Sequence, residues 1–291
     1  FKMATKDQTE KFNKDGYCVV ENALSSDECD ALRQECHDMI EEMDPKEHHT
    51  VFVATGDDSE SPQMKEDYFM TSGDKIRFFF EKGALDEKGE LMVDKQKSLN
   101  KIGHALYWLA PGFKKCTFSD TIKTILKNLQ YEDPAVCQSM YIFKQPRIGG
   151  EVSPHQDASY LYTTPLKVMG IWIALEDATL DNGCLWFIPG SHKDGIHENR
   201  RMVRTPDGQG SKYIGGASRE YDSKEFVPVP IKKGDLILID GLVVHKSHAN
   251  TSENSRHIYT FHVIEQKNTE WSKENWLQPT KELPFPSIYA N

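Results

Sequence analysis

Hydrophobic and polar positions change rhythm partway along the chain. Over residues 5–45 the spacing is helical, with one short interruption. Residues 7–15 read as a polar helix ending near Gly16, and residues 17–20 (Tyr-Cys-Val-Val) as a short apolar strand. Ser25 then offers an N-cap, and Asp27 and Glu28 suit the positive end of a helix. Cys29, Leu32, Cys36, Met39, Ile40 and Met43 recur at three- and four-residue intervals, which predicts one core-facing helical stripe, stopped at Pro45. Residues 46–75 are polar and irregular. Residues 75–81 read as a strand and 83–89 as a turn, and 99–108 lead back into apolar packing. Ile122, Ile125, Leu126 and Leu129 share one face of a helix over 118–129, broken by Pro134.

From residue 136 the elements become short and extended. Strands are expected over 136–143, around 155–157, over 168–175, 184–188, 226–231, 236–239, 242–245 and 256–263. Turn chemistry separates them: Gly149-Gly150, Asn182-Gly183, Pro189-Gly190, Lys233-Gly234-Asp235 and Asp240-Gly241. Helices first and strands afterwards predict a closed or two-sheet antiparallel β structure with flanking helices. Residues 4–291 read as one domain: a helical part over roughly 4–135, a β core over roughly 136–265 and a tail over 266–291. Residues 192–225 read as a long polar, Gly-rich loop carrying Arg200, Arg201 and Arg204. An excursion of that length inside a compact domain is usually functional or disordered.

Composition narrows the function. At 291 residues the chain can bury one sizeable core. The net charge of −10 disfavours a nucleic-acid or anionic-membrane surface, which needs a basic stripe. No apolar run is long enough to span a bilayer. Residues 1–6 lack the apolar stretch of a secretory signal, and the last residues are not a Ser-Lys-Leu peroxisomal address. The six cysteines form no C-x-x-C pair. Together these point to reduced thiols and a cytoplasmic protein.

Chemistry centres on His155-Gln156-Asp157. In an extended strand positions i and i+2 face the same way, so His155 and Asp157 aim a nitrogen and a carboxylate oxygen at one point. Two histidines and one carboxylate with open positions opposite form the facial triad of non-haem Fe(II) oxygenases. His245, at the end of the apolar run 242–244, is the candidate third ligand, with a satisfied core histidine as the alternative. Ser247 lies two residues on, within reach of hydrogen bonding near a metal. His248 is a rival ligand in a polar loop. The pair His48-His49 reads as a solvated loop, because sequence neighbours rarely face one site. Arg256 follows His245 closely enough for a hairpin to bring it into the same cavity, where its planar fork would match a carboxylate. Lys101 reads as a surface lysine whose stem covers apolar neighbours.

With these residues in place, the chain resembles the Fe(II)/2-oxoglutarate-dependent dioxygenases. Residues 72–83, 138–146 and 182–192 are similar to the phytanoyl-CoA dioxygenase family. The resemblance implies a double-stranded β-helix, the jelly roll also found in cupins. It implies His155, Asp157 and His245 as catalytic iron ligands and Arg256 as partner of the distal 2-oxoglutarate carboxylate. It further implies that Lys101, Met140, Trp172 and Ser247 contact the cosubstrate; the bare sequence marks Met140 and Trp172 only as strand core. The implied reaction uses Fe(II), 2-oxoglutarate and O2, releases succinate and CO2, and hydroxylates a small molecule whose identity is not legible. Related halogenases lack the carboxylate ligand, so Asp157 favours hydroxylation. The family name points to an acyl-CoA, for whose phosphates Arg200, Arg201 and Arg204 are candidates. The competing readings are a catalytically silent cupin-like binding protein and a zinc hydrolase or isomerase using the same triad. A monomer without nucleic-acid or membrane partners is expected.

Overall fold

The computed structural model describes residues 6–54 and 62–291. The expected domain start at residue 4 and most of the leading segment 1–6 lie outside the described residues. Helix α1 (Lys6–Asp15) and strand β1 (Tyr17–Val20) open the fold. Helix α2 (Ser26–Glu42) carries the capping box that Ser25 and Glu28 predict: the Ser25 hydroxyl accepts from Glu28 N at 3.2 Å, and the Glu28 carboxylate accepts from Ser25 N at 2.8 Å. The Cys29, Leu32, Cys36 and Ile40 stripe is fully inside.

There follow α3 (Asp67–Met70), β2 (Ile76–Phe80), β3 (Leu99–His104), α4 (Leu106–Leu109), α5 (Pro111–Thr117), α6 (Asp120–Asn128) and β4 (Pro134–Ile142). The β half contains β5 (Val152–His155), β6 (Thr163–Thr164), β7 (Val168–Ala174), β8 (Leu185–Phe187), β9 (Arg201–Arg204), β10 (Ser211–Ile214), β11 (Val227–Val229), β12 (Leu236–Asp240), β13 (His245–Ser247), β14 (Ile258–Glu265) and β15 (Glu270–Trp271).

Two antiparallel sheets face each other. The larger runs β1-β12-β7-β14-β4-β3-β2 and the smaller β11-β8-β13-β5. This is the two-sheet antiparallel structure that the strand pattern predicts, and the double-stranded β-helix that the resemblance implies. Central strands of the larger sheet are apolar on both faces because both are covered. On β7 and β14, Met169, Ile171, Ile173, Tyr259, Phe261 and Val263 pack against the stripe of α2 and the apolar faces of α5 and α6. The opposite face turns Trp172, Ala174 and Ile258 towards Leu185 and Phe187 of the smaller sheet.

Three differences from the sequence reading concern the site. The part over 4–135 holds, besides the expected strands over 17–20 and 75–81, a further strand β3, and all three join the larger sheet. Residues 242–244 form a turn, and His245 begins β13 rather than ending a strand. Residues 192–225 contain the β9–β10 hairpin and three short 3-10 turns, so the excursion is ordered structure.

Candidate metal and 2-oxo acid site

The smaller sheet sets His155 directly opposite His245, at the end of β5 and the start of β13. The chain continues extended through Gln156 and then turns into a short 3-10 helix that begins at Asp157. The i, i+2 argument thus places His155 and Asp157 together although the strand stops between them. One ligand atom from each of His155, Asp157 and His245 lies within 4.8 Å of the others. Asp157 Oδ1 is 3.5 Å from His155 Nε2 and 3.7 Å from His245 Nε2.

Each imidazole is oriented from behind. His155 Nδ1 faces Ser153 O at 2.9 Å, and His245 Nδ1 faces Val243 O at 3.1 Å. A carbonyl only accepts, so both Nδ1 atoms carry the proton and both Nε2 lone pairs point at the common centre. The second carboxylate oxygen of Asp157 is 3.1 Å from His262 Nε2, and Gln138 Nε2 lies 3.2 Å from His262 Nδ1. The Gln138 amide therefore donates to His262, which donates to Asp157. Gly170 makes room for that carboxylate, because a Cβ there would sit 3.2 Å from Asp157 Oδ2.

Electrostatics suit a cation. Burial, then His155, push His245 down to about 4, so it is a neutral ligand at neutral pH. Burial alone would raise Asp157, but the neighbouring His262 and His245, with the hydrogen bond from His262, hold it well below the usual carboxylate range. Two imidazole nitrogens and one ionised oxygen are a donor set for a divalent first-row metal with open positions. Among the described residues this is the one such cluster of His, Cys, Asp and Glu. The rival His248 sits edge-on to Trp186, and His48 hydrogen-bonds Tyr68 Oη.

The triad opens into a cavity of about 240 Å³. All eight residues singled out above line it: Lys101, Met140, His155, Asp157, Trp172, His245, Ser247 and Arg256. Arg256 is 2% exposed, and its guanidinium carbon lies 5.0 Å from the Trp172 ring centroid. Nη1 donates to Gly183 O at 2.5 Å, and Nε has no partner. Burial lowers this group to about 10, so it stays charged at neutral pH. A buried guanidinium with an orphaned N–H and no carboxylate partner among the described residues is a site for an incoming anion.

The surface reading of Lys101 is wrong. It is 5% exposed, with Nζ 3.3 Å from the Phe52 ring centroid and 3.7 Å from Met140 Sδ, and burial lowers its amine to about 7. Its alternation on β3 carries it inward, which an isolated lysine in a short apolar run does not reveal. Arg201 and Arg204 are committed elsewhere. Arg201 pairs with Glu274 and Ser272, and Arg204 donates to Trp276 O and Met70 O. Sequence reasoning also missed His262, although the period of two from Arg256 through Ile258 and Thr260 leads to it.

An antiparallel jelly roll with a His-x-Asp and a distant His at its mouth, and a buried Arg in the same cavity, is the arrangement of the mononuclear non-haem oxygenases. The profile of the family described as phytanoyl-CoA dioxygenase (PhyH) matches residues 12–258. The chain belongs to that family and is an oxidoreductase of its dioxygenase class. It is 58% identical to phytanoyl-CoA dioxygenase domain-containing protein 1 of Danio rerio, over 99% of both chains. It is 44% identical to phytanoyl-CoA dioxygenase 1 of Oryza sativa, over 99% of this chain and 98% of the relative. Among solved structures, the non-haem α-ketoglutarate-dependent carbocyclase SnoK superposes with a TM-score of 0.64 at 17% identity, covering 97% of this chain and 98% of SnoK. EctD from S. alaskensis, solved with 2-oxoglutarate and 5-hydroxyectoine, gives 0.59 at 19% identity, covering 91% and 77%. At those identities the likeness establishes the shared fold.

Proposed function

We propose that the protein is an Fe(II)- and 2-oxoglutarate-dependent dioxygenase that hydroxylates a compact small molecule. The observation that carries this is the pairing, in one cavity, of the His155, Asp157 and His245 donors with the unpaired Arg256 guanidinium. Bound Fe(II), with 2-oxoglutarate and O2, supplies the oxidant for a C–H bond, and the cosubstrate leaves as succinate and CO2.

The chain's own residues do the rest. His155, Asp157 and His245 hold the metal, and His262 keeps Asp157 oriented. Arg256 holds the distal carboxylate, with Ser247 beside it and Trp172 packed against its guanidinium. Lys101 and Met140 line the wall facing the cosubstrate. Met64, Leu161, Met202, Tyr160 and Tyr213 give the rest of the cavity an apolar and aromatic lining, which excludes water around the reacting carbon.

The relatives are named for phytanoyl-CoA. Two of the three loop arginines that a CoA phosphate would need are already paired within the fold, which favours a smaller substrate over an acyl-CoA. No helix among the described residues is long and apolar enough to cross a membrane, and we read the protein as a monomer in the cytoplasm. A mass-spectrometric screen of metabolite extracts tests the function. Products heavier by one oxygen atom should form only with Fe(II), 2-oxoglutarate and O2 together. Product formation with zinc in place of iron and without O2 would favour the hydrolase reading.

A further inference from the structure

Besides Arg256 and Lys101, the cavity holds a third buried basic side chain that the site described above does not account for. Lys144 follows β4, is 3% exposed and lines the cavity. Its backbone is held at a φ of +44°, a conformation disfavoured for a side chain of this kind. The surroundings pin it there: Lys144 O accepts from Asn250 Nδ2 at 2.8 Å and from Arg256 N at 3.3 Å. Gly183 clears space for the stem, since a Cβ at that position would lie 2.6 Å from Lys144 Cε. The carbonyl of the same Gly183 accepts from Arg256 Nη1. One glycine therefore seats both basic side chains.

The ammonium end is specific as well. Lys144 Nζ donates to Ser247 Oγ at 2.8 Å and to Gly150 O. Lys144 Nζ is the donor at this contact, so Ser247 Oγ accepts there, while burial and then the Arg256 charge hold the amine well below the usual lysine range. The single O–H proton of Ser247 is then released to point elsewhere, and Ser247 faces the same cavity as Arg256. The nearby buried carboxylate, Glu81, is engaged by Asn100 Nδ2 at 2.9 Å and by Lys82 N. Among the described residues neither Lys144 nor Arg256 has a carboxylate partner.

We propose that Lys144 is a positioning residue for the cosubstrate: it fixes Ser247 as a hydrogen-bond donor to the distal carboxylate beside Arg256, and so favours a 2-oxo diacid over a 2-oxo monoacid. This rests on the dioxygenase reading above and extends it to a residue outside the expected contact set. A simple strut between β4 and β13 would use the same hydrogen bond but would not distinguish the two acids.

The test is an anaerobic titration of the Fe(II)-loaded protein, followed by the visible absorption of the iron–2-oxo acid chelate. The two ligands are 2-oxoglutarate and 2-oxopentanoate, which share the chelating end and differ in the distal carboxylate. Lys144→Met and Ser247→Ala should each weaken 2-oxoglutarate binding by about tenfold or more, the scale of one charge-assisted hydrogen bond. The double variant should add less than about twofold to the worse single one, because the two residues act as a unit. Binding of 2-oxopentanoate should stay within about twofold of wild type in all three, since it forms no bond to the clamp.

Additive losses in the double variant, or equal losses for both acids, would overturn the proposal. If Lys144→Met does not fold, Lys144→Gln gives a polar side chain one atom shorter that lacks the amine. Its preference for 2-oxoglutarate over 2-oxopentanoate should fall by about fivefold or more, and an unchanged preference would overturn the idea. Failure of wild-type protein to chelate either acid would strike the dioxygenase reading itself, because both chelate through the shared end.

Discussion

Asp157 is the residue on which most of the site converges. It is the one charged donor of the triad, and His262 and Gly170 exist in their places to hold it. Asp157→Ala should abolish Fe(II)-dependent turnover, checked by succinate formation. His262→Phe should leave the triad intact but loosen its carboxylate, lowering iron affinity by roughly 10–100-fold in an equilibrium chelator competition. Arg256→Leu removes two charged hydrogen bonds, so the KM for 2-oxoglutarate should rise by about two orders of magnitude, and an unchanged KM would place the clamp elsewhere. At this scale the sequence was informative where residue type and spacing coincide. His155-x-Asp157 is a local pattern, and Arg256 is an anion ligand by chemistry. Lys101 was opaque because an isolated lysine in a strand reads as surface, and Lys144, just past β4, carries no pattern that singles it out. Only β3 register and the Gly183 gap show that both turn inward.

Among the elements, α2 and the larger sheet followed from periodicity, because helix and strand repeats differ and Ser25, Pro45 and Pro134 mark boundaries. Ser25→Ala removes the hydroxyl side of the capping box, leaving the backbone N–H of residue 25 to the Glu28 carboxylate, and should cost about 1 kcal/mol. A thermal melt should show this as a fall of about 2–4 °C. The β9–β10 hairpin was not legible. Its strands are four residues each, the turn between them is polar, and their pairing partners are each other. The start of β13 was also misplaced. Val243 and Val244 are buried by a turn packed under the smaller sheet, and burial without alternation cannot be told from a strand in the sequence.

For the whole molecule, burial of neutral histidines links stability to pH. Burial lowers His245 and His257 to about 4 from an ordinary value near 6.5. Protons therefore bind the unfolded chain more readily than the folded one below that ordinary value. Stability of the metal-free protein should fall as pH drops from about 6.5 towards 4, by on the order of 2 kcal/mol per histidine at pH 5. Bound metal holds His245 neutral, so loading should shift the acid limb of a melting-temperature profile to lower pH. A flat profile would mean that these histidines are solvated.

The central claim is that three side chains from two distant stretches of the chain hold one iron beside a 2-oxo acid. The most direct measurement is release of CO2 from 2-oxoglutarate labelled at C1, in wild type and Asp157→Ala, with and without Fe(II) and O2. The account predicts release in wild type only when both Fe(II) and O2 are present, and none in Asp157→Ala. Release that persists in Asp157→Ala, or that proceeds in wild type without iron, would contradict it.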